Sequence, residues 1–194
     1  MIRNSLLAIF AAYLLGSIPT GYLAARWARG IDIREAGDRS TGATNVFREA
    51  GAKAGIATAT GDVAKGAVAM LVARALQVPG LALILTALAV VSGHIWPLFL
   101  RFRGGAGLAT AAGVLLATLP RESLTLLPPF ALLGVTVGRR IGLGLSGALL
   151  LVPLLLLNRR FREPPSLTAL PLVLGVQLAA KRYWRQALGA LAER

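Results

Sequence analysis

Three long, predominantly apolar runs decide what this chain can become. Residues 6–25, 54–76 and 81–100 are each long enough to cross a bilayer as a helix, for which a straight span needs about 20 apolar residues. Of the 194 residues, 56% are hydrophobic and only 15% charged; soluble domains sit nearer about 45–50% apolar. In hydrocarbon every backbone polar group must be bonded internally, which makes helices of runs this long. Four further runs, 108–119, 124–137, 142–157 and 167–180, are shorter and bounded by glycine and proline. They read as brief helices packed on the longer ones or meeting a thinned bilayer. The expectation is an all-α, polytopic integral membrane protein with about seven transmembrane or membrane-embedded helices, forming a single domain over residues 1–194.

Composition removes several classes of function. There are no cysteines, so thiol chemistry, disulfides and cysteine-bound metals are excluded. A single histidine, His94, rules out a polyhistidine site within one chain, and no metal or cofactor is expected. The net charge of +13 comes without a lysine-rich arm or an aromatic-basic platform, which favours anionic headgroups over nucleic acid as its partner. The first apolar run carries no small-residue cleavage site followed by a soluble domain, so it does not read as a signal peptide.

Orientation follows from where the cations fall. With seven spans the loops divide so that one face receives 15 of the 21 Lys+Arg, among them Arg26, Arg34, Arg48, Lys53 and Arg101, and the other receives 6. The richer face is expected in the cytoplasm, with the N-terminus outside and the C-terminus inside. Every conspicuous polar stretch lies on that face or leads to it.

Three such stretches stand out. The first, within 30–53, reads Asp32-Ile33-Arg34, then Gly37-Asp38-Arg39-Ser40-Thr41-Gly42-Ala43-Thr44-Asn45-Val46-Phe47-Arg48. Glycines, small hydroxyls, an amide and arginines suit either a binding loop or an ordinary solvated one. The second places Asp62, Lys65 and Gly66 inside an apolar run. On a helix Asp62 and Lys65 share a face and can pair, either facing a polar cavity or merely neutralising each other in the packing. The third runs from Gly93-His94-Ile95-Trp96-Pro97 through Arg101, Arg103, Gly104, Gly105 and Gly107 into another apolar run. Its glycines can turn N–H groups onto an anion, and a helix starting near Gly107 would point its free N–H groups at the same place. The plainer reading is an interhelical loop with arginines anchored among headgroups.

In this order and on this face, the three stretches resemble the signature motifs of the bacterial membrane-integral acyl-phosphate:glycerol-3-phosphate acyltransferases, the PlsY family. Leu15-Gly16-Ser17-Ile18-Pro19-Thr20-Gly21 is similar to the family's first helix. The resemblance is strong over about the first three-fifths of the chain. It implies a seven-helix fold, no cofactor, and transfer of a fatty acyl group from acyl phosphate to the 1-hydroxyl of glycerol 3-phosphate. The product would be lysophosphatidate, made for phospholipid synthesis at the bacterial inner membrane, by a monomer among membrane lipids. It also implies the site. The catalytic candidates are His94, Arg48 and Asn45. Arg48 would clamp a phosphate, Asn45 and Thr44 orient substrate hydroxyls, and His94 accept the attacking hydroxyl's proton or orient it. Gly104, Gly105 and Gly107 would offer N–H groups to acyl phosphate. Asp62, Lys65 and Gly66 would support glycerol phosphate, with Gly42, Arg39 and Arg103 completing the binding set.

The departures from the family pattern are equally specific. Its serine and asparagine in the first motif are Asp38 and Ser40 here, a glycine is Arg39, and the lysine between the glycines of the third motif is Ala106. The pocket is one unit less positive for it. A lost charge-assisted hydrogen bond typically costs about 1.5–3 kcal/mol. Arg39, Arg101 or Arg103 could supply the missing charge. The alternative is a catalytically weak or inactive paralogue that binds lipid or a phosphorylated ligand.

Overall fold

The computed structural model describes residues 2–121, 123 and 124. The chain divides into two compact units, Met1–Ala117 and Thr118–Arg194, and the described helices belong almost entirely to the first. Among the described residues every regular element is helical: α1 (Ile2–Ser17), α2 (Thr20–Arg29), α3 (Ala43–Ala50), α4 (Ala52–Ala75), α5 (Gly80–Ile95), a 3-10 turn (Leu98–Leu100) and α6 (Leu108–Thr118). Ile2–Arg29, Ala52–Ala75 and Gly80–Leu100 are long and apolar enough to cross a membrane. The runs expected at 124–137, 142–157 and 167–180 lie outside the described residues, apart from Leu124.

Two expectations change in detail. The run over 6–25 is not one helix: it breaks between α1 and α2 at Ile18-Pro19. Proline has no N–H to donate and disfavours helical geometry in the residue before it. Ser17 closes α1 by donating its hydroxyl to the Tyr13 carbonyl (2.9 Å), and the Leu98 N–H donates to the same hydroxyl oxygen (3.3 Å). The polar stretch over 30–53 is not all loop either, because it contains α3. Ala43, Val46, Phe47 and Ala50 recur at helical spacing, and glycines bound the element at Gly42 and Gly51. Gly30 ends α2 in the left-handed conformation (φ 69°), its N–H donating to the Arg26 carbonyl, a common helix stop.

Small residues let the spans approach closely, since helix packing in a bilayer depends on backbone proximity. A Cβ on Gly16 would strike the Val90 carbonyl, and one on Gly93 the Tyr13 carbonyl, so α1 and α5 meet backbone to backbone. Gly66 sits the same way against the Thr110 carbonyl, and Gly113 against that of Val63, joining α4 to α6. A separate apolar cluster of Ala25, Ile33, Val46, Ala50 and Ala54 ties α2, α3 and α4 together beneath the polar loop. Leu6, Phe10, Ile56, Leu71 and Leu81 remain largely exposed, as side chains do that face lipid.

Candidate functional site

The second and third polar stretches meet in the interior. Asp62 on α4 is 1% exposed, and its Oδ1 lies 2.9 Å from Lys65 Nζ and 3.3 Å from His94 Nδ1 at the end of α5. The Thr20 hydroxyl donates to that same oxygen. Lys65 Nζ also donates to the Ile18 carbonyl (3.2 Å), which the break between α1 and α2 leaves reachable. The expected Asp62–Lys65 pair is therefore present, and it is one edge of a four-residue cluster. Among the described residues Asp62 Oδ2 is buried with no hydrogen-bond partner. Sequence reasoning missed Thr20 and the Ile18 carbonyl as members of the cluster. The signal was a proline and a hydroxyl inside an otherwise apolar span.

His94 links this cluster to both loops. α5 ends here because Pro97 follows Trp96, and the His94 carbonyl accepts the Gly105 N–H (3.2 Å). The imidazole's other edge faces Gly105 Cα: a Cβ there would collide with His94 Nε2 and lie 3.3 Å from the Gly42 nitrogen. The first loop, the third loop and the imidazole thus converge at one point. A small cavity beside it is lined by Thr20, Thr41, Lys65, His94 and Pro97, among others. Gly107 (φ 88°) turns the chain into α6 at Leu108. The Gly105 N–H is committed to the His94 carbonyl, and the first-turn N–H groups of α6, which have no partner within the helix, follow a few residues on. Gly66 is committed to the α4–α6 crossing.

The first loop is organised by Asn45. This side chain is 2% exposed. Its amide N–H groups donate to the carbonyls of Ser40 (2.9 Å), Ala36 (3.1 Å) and Ile33 (3.4 Å), and its Oδ1 accepts the Asp38 N–H (2.9 Å). Such engagement makes Asn45 the pin of the loop. Ser40 Oγ accepts the Gly42 N–H (3.3 Å). Arg48 is half-exposed and ion-paired with Asp38, a partnership no sequence pattern announced. Thr44 is exposed on α3. Arg39, Arg101 and Arg103 are exposed as well, and none forms an ion pair among the described residues. Ahead of them, Asp32 and Arg34 form a fork, with Nε–Oδ1 at 2.9 Å, and the guanidinium rests over the Tyr22 ring at 5.1 Å. The hydrogen-bonded Arg34 holds the Asp32 carboxyl below its ordinary range. This latch is therefore complete above the usual carboxylate pKa and is lost as pH falls through the lowered one.

Membrane-spanning helices that bury a Thr–Asp–Lys–His cluster beneath two glycine-bearing, arginine-rich loops define an integral membrane protein with a polar site at one end of its spans. The family model for glycerol-3-phosphate acyltransferase matches residues 6–188, and the chain belongs to that family. A glycerol-3-phosphate acyltransferase of Desulforudis audaxviator is 51% identical over 127 residues, covering 66% of this chain and 59% of that one. One from Synechococcus sp. (strain CC9902) is 40% identical over 158 residues, covering 81% and 78%. The chain spans 59% and 65% of the lengths of two of the curated relatives it matches. A crystal structure of PlsY (YgiH), an integral membrane glycerol 3-phosphate acyltransferase, in its glycerol 3-phosphate form, superposes with a TM-score of 0.78. It is 31% identical, covering 97% of this chain and 92% of that one.

Proposed function

We propose that this chain transfers a fatty acyl group from acyl phosphate to the 1-hydroxyl of glycerol 3-phosphate at the cytoplasmic side of a bacterial cell membrane. The observation that carries the reading is His94, held by buried Asp62 on one edge and set against the Gly42 and Gly105 loops on the other. Family membership and the solved relative in its glycerol 3-phosphate form support it. The asymmetry of 15 cations against 6 supports a cytoplasmic site with the N-terminus outside.

The chemistry asks little of the protein beyond placement and charge. Acyl phosphate is an activated mixed anhydride, so orientation and electrostatic stabilisation are enough. The hydroxyl oxygen attacks the acyl carbon, the ester C–O bond forms, the C–O bond to phosphate breaks, and inorganic phosphate leaves. With Nδ1–H donated to Asp62, His94 presents Nε2 as an acceptor for the hydroxyl proton, or as its orienting partner. Arg48 holds a phosphate through its guanidinium fork. Free N–H groups at the start of α6 suit the phosphoryl end of the donor. Asn45 serves by fixing the loop that carries Arg48.

Purified protein given acyl phosphate and radiolabelled glycerol 3-phosphate should form lysophosphatidate. Arg48→Ala and His94→Ala should each lower kcat/KM by about a hundredfold or more. Full activity in both variants would remove these roles. An inactive wild type that still binds glycerol 3-phosphate would favour the paralogue.

Ala106 gives a gain-of-function test of the same pocket. It is exposed between Gly105 and Gly107, where the family resemblance calls for lysine. Ala106→Lys should raise kcat/KM by roughly ten- to a hundredfold, the equivalent of about 1.5–3 kcal/mol. If Arg39 already supplies that charge, Ala106→Lys will change little and Arg39→Ala will be the damaging substitution.

A further inference from the structure

The exchange of serine for Asp38 has a structural consequence at Arg48. Asn45 brings the two residues together. Its Oδ1 accepts the Asp38 N–H at 2.9 Å, and Arg48 follows three residues later on α3. The Asp38 carboxylate then meets Arg48 Nη2, with side chains 27% and 48% exposed. The loop continues through Ser40 to Thr41, which lines the cavity with Lys65 and His94. The guanidinium expected to receive a phosphate therefore already holds an anion supplied by its own loop. Because water reaches both partners, the pair contributes little net stability and opens readily. That suits an exchangeable contact better than a structural lock.

We propose that Asp38 is an internal competitor for Arg48, occupying the guanidinium until a substrate phosphate displaces it. The proposal rests on the acyl-transfer reading, in which Arg48 binds phosphate. It treats Asp38 as a positioning residue that keeps the fork ordered while the site is empty. A competitor of this kind lowers the affinity of every phosphate ligand by one common factor, set by the strength of the ion pair. That factor depends on Arg48 being present. General repulsion by a nearby carboxylate behaves otherwise, since it acts on the ligand directly and survives loss of the arginine.

Asp38→Asn tests this with little threat to the fold, because the Asn45 contact is to the backbone N–H of residue 38. Binding of glycerol 3-phosphate and of inorganic phosphate would be measured by calorimetry on the wild type, Asp38→Asn, Arg48→Ala and the double variant. In the transfer assay, KM and kcat for glycerol 3-phosphate would be followed separately. Asp38→Asn should tighten both ligands by the same factor, about two- to fivefold for an exposed pair, and lower KM more than it changes kcat. In the Arg48→Ala background it should do nothing. An Asp38→Asn effect that persists without Arg48 overturns the competitor in favour of repulsion. Unchanged binding in Asp38→Asn, with Arg48→Ala still weakening it, overturns the competitor alone. Wild-type binding in Arg48→Ala instead removes Arg48 from the phosphate site, and with it the assignment on which the proposal rests.

Discussion

Asp62→Ala is expected to be the most damaging single substitution in the described part of the chain, destabilising it by about 3–5 kcal/mol and abolishing acyl transfer. Asp62 Oδ1 is approached by the Thr20 hydroxyl, Lys65 Nζ and His94 Nδ1. Without it the Lys65 ammonium stays buried, with the Ile18 carbonyl as its remaining described partner. The Lys65 side chain is only 5% exposed, so little of that charge is solvated, and an uncompensated buried ion is the main source of the loss. His94 would also lose the group that sets its tautomer. Unfolding in detergent and the transfer assay should report both effects together. The double variant Asp62→Asn/Lys65→Met separates them: with both charges gone, stability should return toward wild type while activity stays lost. An Asp62→Ala protein that unfolds like the wild type would mean that the cluster is solvated and the burial argument wrong.

Gly105→Ala should lower kcat/KM at least about a hundredfold while costing the fold less, about 1–3 kcal/mol, as overpacking does. The added methyl meets His94 Nε2, with Cε1 at 2.9 Å and the Gly42 nitrogen at 3.3 Å. None of these is the loose end of a flexible chain: the imidazole is tethered to Asp62 and the nitrogen is backbone. Gly105 is not among the positive-φ residues, so alanine tests space alone and not backbone strain. The expected signature is a moderately shifted unfolding curve with a collapsed turnover. Undiminished turnover would show that the imidazole does not need its place against the loop.

Much of this site is written locally, and that part was legible in the sequence. Apolar runs of about 20 residues give the spans, an i, i+3 spacing gives the Asp62–Lys65 pair, and Pro97 gives the end of α5 just past His94. The helix α3 was hidden because glycines and polar residues dominate its surroundings, although its apolar period was present. The Thr20 contact to Asp62 spans 42 residues, and its existence depends on how α2 packs on α4. The pairing of Asp38 with Arg48 depends on how Asn45 folds the loop back on itself, which no period records. The resemblance to the family's motifs gave a charge deficit in the pocket. It could not tell that the added carboxylate would bind the arginine already there, or that Arg39, Arg101 and Arg103 would stand exposed.

The broken first span leaves the buried ammonium of Lys65 resting on a main-chain oxygen. A main-chain ligand has no side chain to lose. Ile18 turns 39% of its surface outward, so leucine, valine or phenylalanine could replace it over evolutionary time without disturbing the carbonyl that meets Lys65. Pro19 has no such freedom, because a residue with an N–H would let α1 run on into α2 and draw that carbonyl into the helix's own bonding. Among natural variants of this chain, position 18 should drift among apolar residues while position 19 stays fixed. The invariance would then sit beside the residue that makes the contact, not on it.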